Sequence, residues 1–145
     1  MSHSTTAALT LQPAAAATFA KWHDMIAAQD LSNLPTLLAE AVKFRSPAVF
    51  KPYSGAPVVN LILNTVLQVF EEFSYHRQFA TPDGLNVVLE FNTKVGDKAI
   101  HGIDMIRFNE AGLITDFEVM IRPLSALQAL AAEMGSRMAA FTPAK

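Results

Sequence analysis

Apolar residues recur along this chain in two rhythms, and the switch between them separates helices from strands. From Pro13, residues Ala15, Phe19, Trp22 and Ile26 fall at helical spacing and predict a first helix to about Gln29. Asp30 and Ser32 suit the cap of a second, short helix carrying Leu34, Leu37 and Leu38. From Val42 to Ser46 the period drops to two, with Val42, Phe44 and Ser46 on one face of a strand. Pro47 ends that strand, and Phe50 to Gly55 is dense in turn formers. A long apolar stripe, including Val58, Ile62, Thr65, Val66 and Phe70, then predicts a third helix from Pro57 to Glu72.

Beyond Glu72 the period is two almost to the end. Phe73 to Ala80 predicts a second strand, with Phe73, Tyr75 and Phe79 on one face. Pro82-Asp-Gly84 turns into Leu85 to Val95, where Val87, Leu89, Phe91 and Thr93 alternate with Val88, Glu90 and Asn92. Gly96-Asp97 turns into a fourth strand, and Asn109 to Gly112 into a fifth, Leu113 to Arg122, with Phe117, Val119 and Ile121 inward. Pro123 opens a last helix to about Met138. Helices grouped before a run of antiparallel strands predict an α+β domain. A twisted meander folded around the long helix would form a cone with an apolar pocket. One domain is expected at 14–138, between an N-terminal tail at 1–13 and a C-terminal tail at 139–145.

Composition sharpens the picture. Of 145 residues, 51% are hydrophobic and 17% charged, so apolar side chains must line a cavity, a subunit interface or both. A formal charge of -2 gives no electrostatic reason to bind nucleic acid or an anionic membrane. Cysteine is absent, which removes thiolate ligands and thiol nucleophiles. Histidines 3, 23, 76 and 101 show no metal-binding spacing, and no glycine-rich phosphate loop appears. No cofactor and no metal are therefore expected. Residues Met1 to Pro13 lack a signal-peptide pattern and no later stretch could span a bilayer, so the expected location is cytoplasmic.

The candidate chemistry lies on the fourth strand. One face carries Ile100, Gly102, Asp104, Ile106 and Phe108, the other His101, Ile103, Met105 and Arg107. With the first face inward, Asp104 is a carboxyl among apolar neighbours, and desolvation raises its pKa. Tyr75 on the second strand needs a buried partner for its hydroxyl, and Asp104 is a candidate. With the last hairpin closing around Asn109 to Gly112, Asp104 falls opposite Phe117 and Ile103 opposite Glu118. The outward set of His101, Ile103, Met105, Glu118 and Met120 mixes apolar and charged groups, as a two-fold interface does. The bland alternative is a solvated face with weak ion pairs.

The segments Lys21-Trp-His, Ala28-Gln-Asp30-Leu, Val42-Lys-Phe-Arg-Ser-Pro47 and Ile103-Asp-Met-Ile-Arg-Phe-Asn-Glu-Ala-Gly112 carry a family likeness. Over residues 14–138 the chain resembles the nuclear transport factor 2-like superfamily, in its SnoaL-like and ketosteroid-isomerase-like branch. The resemblance implies a cystatin-like roll: a cone-shaped, curved, mixed or antiparallel sheet around a long helix, with two N-terminal helices and a C-terminal one. It also implies a sheet-to-sheet homodimer. Asp104 falls where the isomerases place a protonated aspartic acid in the oxyanion hole. Their oxyanion tyrosine corresponds to Trp22 and their general-base aspartate to Ser46. With both positions changed, the resemblance does not carry ketosteroid isomerisation across.

The expected site is an internal pocket for a small hydrophobic organic molecule. Phe19, Trp22, Ile26, Phe70, Tyr75, Phe91, Phe117, Val119 and Ile121 supply its wall, and Ser46 and Tyr53 lie near its entrance. Asp104 is the anchor, serving as acid or oxyanion hydrogen-bond donor in cofactor-independent isomerase, cyclase or dehydratase chemistry. The alternatives are a noncatalytic small-molecule binder and a dimeric interaction module.

Overall fold

The alternating second half of the chain folds as its period requires, into long neighbouring strands with one apolar face each. The computed structural model describes residues 10–139. Within that range run α1 (Pro13–Ala28), β1 (Leu38–Arg45), β2 (Tyr53–Ser54), α2 (Ala56–Val69) and β3 (Glu71–Ala80). They are followed by β4 (Asn86–Val95), β5 (Lys98–Phe108), β6 (Ile114–Arg122) and α3 (Leu124–Met138). The strands form one curved, unclosed sheet in the order β2-β1-β6-β5-β4-β3. Only the β1–β6 pair is parallel, so the sheet is mixed. The α+β architecture expected from the sequence is present. No helix of the described residues is long and apolar enough to cross a membrane.

Several local expectations are corrected. Leu34–Leu37 is a single 3-10 turn rather than a second helix, because Leu38 already pairs with Ile114 in the ladder. A two-residue strand, Tyr53–Ser54, pairs with β1 inside the expected loop. The third helix stops at Val69 instead of Glu72: Phe70 is extended and Glu71 pairs with Lys94. Phe79 does not share a face with Tyr75. A register shift between Tyr75 and Gln78 turns Phe79 outward, leaving it 54% exposed.

The last hairpin is looser than its sequence suggests. Asp104 faces Val119 and Ile103 faces Met120, two residues further along than expected. A five-residue connection from Asn109 to Leu113 and a register shift after Arg107 each add one residue. Because side chains alternate, a shift of two leaves every face assignment intact.

Of the expected tails, residues 1–9 and 140–145 lie outside the described range. Gln12, assigned to the N-terminal tail, is tied down. Its backbone N–H donates to the Gly84 carbonyl, and its side chain to the Asp83 carbonyl, each at 3.0 Å.

Candidate functional site

The concave face of the sheet and the three helices enclose an apolar cavity of about 330 Å³. Trp22 and Ile26 reach it from α1, and Phe44 and Ser46 from β1 and its end. Helix α2 contributes Ile62, Leu63, Val66 and Leu67; β6 contributes Phe117, Val119 and Ile121. Leu127, Leu130, Ala131, Met134 and Met138 close another side from α3. Tyr53 and Val49 stand at the rim, 39% and 45% exposed. Its aromatic wall is braced from behind. Phe73 stacks on Phe91 at 5.1 Å and on Phe70 at 5.8 Å, and meets Tyr75 edge-on at 4.8 Å. Gly102 makes that bracing possible: a Cβ there would lie 2.6 Å from the Phe91 ring.

Asp104 is the one carboxyl in the lining among the described residues, and it is 6% exposed. Burial pushes its pKa up from 3.8 to about 7, against the opposing effect of a hydrogen bond from Tyr75. The Tyr75 hydroxyl donates to Asp104 Oδ2 at 2.6 Å and accepts from Trp22 Nε1–H at 3.0 Å. Burial first, then the charge of Asp104, holds the Tyr75 phenol well above its usual range. Among the described residues, no hydrogen bond reaches Asp104 Oδ1. The arrangement is a cavity-lining carboxyl with a raised pKa, one oxygen engaged by Tyr75 and the other without a hydrogen bond among the described residues.

Comparison with known proteins gives this geometry a family. The chain shares 60% identity and a TM-score of 0.90 with a crystal structure described as a steroid delta-isomerase from Pseudomonas aeruginosa, covering 92% of this chain and 97% of that one. The chain belongs to the nuclear transport factor 2-like superfamily. A cystatin-like protein from Silicibacter pomeroyi DSS-3 is 40% identical with a TM-score of 0.79, covering 84% of this chain and 85% of that one. An NTF2-like protein of unknown function from Mesorhizobium loti, 16% identical with a TM-score of 0.67 over 79% of this chain and all of its own, shares the fold. No family model and no curated protein matches the chain.

Against the superfamily's isomerase pattern, the three corresponding positions fare differently. Asp104 is buried at the cavity as the resemblance implies. Trp22 stands at the wall, but its N–H is spent on Tyr75 and does not face the cavity as a free donor. Ser46 borders the cavity with a hydroxyl that accepts the Ala48 N–H at 3.0 Å, a turn-forming bond. Of the expected wall, Ile26, Phe70, Tyr75, Phe117, Val119 and Ile121 also line the cavity, and Tyr53, expected near the entrance, stands at its rim.

Phe19 and Phe91 do not. Phe19 turns toward the His23 ring, at 4.5 Å, and Phe91 is fully buried behind Phe70 and Phe73. Sequence reasoning missed the α3 side of the cavity, although Leu127, Leu130, Ala131, Met134 and Met138 recur at helical spacing. It also missed Leu63 and Leu67, because the cavity-facing side of α2 is rotated from the expected stripe.

The convex face is chemically unlike the cavity. Glu90 on β4 accepts from Arg77 Nε at 2.6 Å and Nη2 at 3.0 Å, and pairs with His101 Nε2 at 2.6 Å. Those partners hold its carboxyl down at about 2. His76 meets Asn92 at 2.7 Å on the same side. Ile103 and Met105 are half-buried there, and Met120 is 48% exposed.

Proposed function

We propose that this protein binds a small, largely hydrophobic organic molecule in the cavity and presents Asp104 to an oxygen of that guest. The chemistry is cofactor-independent proton transfer of the isomerase, cyclase or dehydratase type, with Asp104 as acid or hydrogen-bond donor to a developing oxyanion. One observation carries this reading: a carboxyl 6% exposed, raised to about 7 by burial, borders a cavity of about 330 Å³ whose other walls are mostly apolar. That volume falls in the range of small-molecule sites, roughly 300–1,000 Å³. A neutral acid in such a setting can donate to an oxyanion where water cannot compete. The 60% identical protein described as a steroid delta-isomerase supports the reaction class.

A second reading, noncatalytic binding in the same pocket, is favoured by one specific feature. No imidazole and no second carboxyl lines the cavity among the described residues, so a general base is not evident. The reading includes a homodimer formed through the convex face around His101, Ile103, Met105, Glu118 and Met120, where apolar side chains stand beside charged ones.

A thermal-shift screen with hydrophobic ketones and phenols, followed by turnover assays, tests it. Ligands of this class are expected to raise the melting temperature. Asp104→Asn and Asp104→Ala should lower turnover by about 10²-fold or more, the usual loss when one oxyanion donor is removed. Binding without turnover selects the noncatalytic reading. Stabilisation by no ligand would leave a filled scaffold and overturn both.

A further inference from the structure

Trp22, Tyr75 and Asp104 form a chain in which each hydrogen has one place to go. An indole N–H only donates, so at 3.0 Å from Trp22 the Tyr75 oxygen must accept. The phenol hydrogen then points along the remaining short contact, 2.6 Å to Asp104 Oδ2. If Asp104 donated across that contact instead, the phenol hydrogen would have no protein acceptor among the described residues in the unliganded cavity, an arrangement that interiors avoid. Oδ2 is therefore an acceptor whether or not Asp104 is ionised, and a proton on the carboxyl resides on Oδ1.

We propose that Tyr75, anchored by Trp22, is a positioning residue that confines the Asp104 proton to Oδ1 and makes the protonated pocket select hydrogen-bond acceptors such as ketones. This rests on the ligand-pocket reading above. Once Asp104 ionises, Oδ1 becomes an acceptor and the preference passes to donors such as phenols. Because burial holds this carboxyl at about 7, the exchange falls at ordinary pH.

Few other groups compete for that role. Strand β3 brings Tyr75, β2 brings Tyr53 at the rim, and the end of β1 brings the Ser46 hydroxyl. The cavity-facing side chains of α2, β6 and α3 carry no titratable group among the described residues. His23 of α1 packs edge-on against the Tyr75 ring at 5.4 Å; burial lowers its pKa, which leaves it neutral near pH 7. No lysine or arginine lines the cavity among the described residues.

The test measures the affinity of the intact protein for 2-acetylnaphthalene, an acceptor, and 2-naphthol, a donor of similar size, between pH 5 and 8.5. In the parent, affinity for the ketone should fall about tenfold per pH unit above the Asp104 midpoint, while that for the naphthol holds or rises. Asp104→Asn should abolish the pH dependence. Tyr75→Phe removes the bond that favours the carboxylate, so the pH at which ketone affinity begins to fall should move up by about one unit. Trp22→Phe keeps the phenol but frees its acceptor side, and a smaller upward move is expected; it carries the test if Tyr75→Phe does not fold.

Parent-like midpoints in the folded variants, with the pH dependence still abolished by Asp104→Asn, would overturn the positioning role and leave the pocket reading standing. Binding of neither probe to the parent would overturn the inference together with the reading beneath it.

Discussion

Asp104 and Glu90 occupy adjacent, antiparallel strands, on opposite faces of one sheet. Asp104 has a phenol for a partner and no cation beside it among the described residues, and burial lifts it to about 7. Glu90 is clasped by the Arg77 guanidinium and by His101, and is held at about 2. Carboxyl chemistry is nearly the same in both, so the contrast comes from what the sheet presents on each side. Apolar walls with one hydroxyl make a proton donor; complementary charges make a fixed anion. A sheet with two such faces can keep its chemistry inside and offer its charge to a partner outside.

The largest expected effect concerns the inner carboxyl and stability. An aspartic acid raised from 3.8 in the unfolded chain to about 7 when folded stabilises the protein most at low pH. Stability then falls as pH rises from about 4 through 7, by about 4 kcal/mol at about 1.4 kcal/mol per pH unit. Asp104→Asn does not titrate and should lose this slope, making the variant more stable than the parent at pH 8. Urea unfolding of both proteins at pH 5 and pH 8 checks it. The same pH slope in parent and variant over that interval would show that the carboxyl titrates as an ordinary solvated one.

Next in size is the outer face. Ile103→Glu places a charge among His101, Met105 and Met120, and is expected to convert dimers to monomers in sedimentation velocity. An unchanged sedimentation coefficient would discard this face as the dimer contact.

Smallest is Glu90→Gln. Because Glu90 is depressed from 4.5 to about 2, its contribution is complete above about pH 4.5 and lost as pH falls through 2. The variant should therefore be less stable than the parent at pH 7 and converge with it toward pH 2, read from denaturant midpoints. A difference that grows on acidification would contradict the ion-pair origin of the shift.

The two faces also differ in how much of them the sequence disclosed. Period-two alternation placed Asp104 inward and His101 and Ile103 outward, and even a hairpin register wrong by two kept those faces. Asp104 was legible because a lone carboxyl interrupts an apolar row. Its bond to Tyr75 was partly legible, since an inward phenol needs a partner.

What stayed hidden depends on breaks in periodicity. The bulge that expels Phe79 lies between residues with no turn signature, and nothing local marks it. Phe91 reads as a wall residue, yet Gly102 opposite it admits its ring so deeply that Phe73 covers it from the cavity. Phe19 shares the helical stripe of Trp22 but points to His23, a difference of angle that spacing alone does not resolve. For Phe91 the decision came from long-range packing against Gly102 and Phe73.

The most direct measurement is a carbon-13 NMR titration of the Asp104 carboxyl in the intact protein, with and without bound 2-acetylnaphthalene. A midpoint near 7 in the free protein, moving upward when the ketone binds, is the expected result. A midpoint near 4 that ignores the ketone would mean this carboxyl is an ordinary solvated anion, and the proposed acid would be gone.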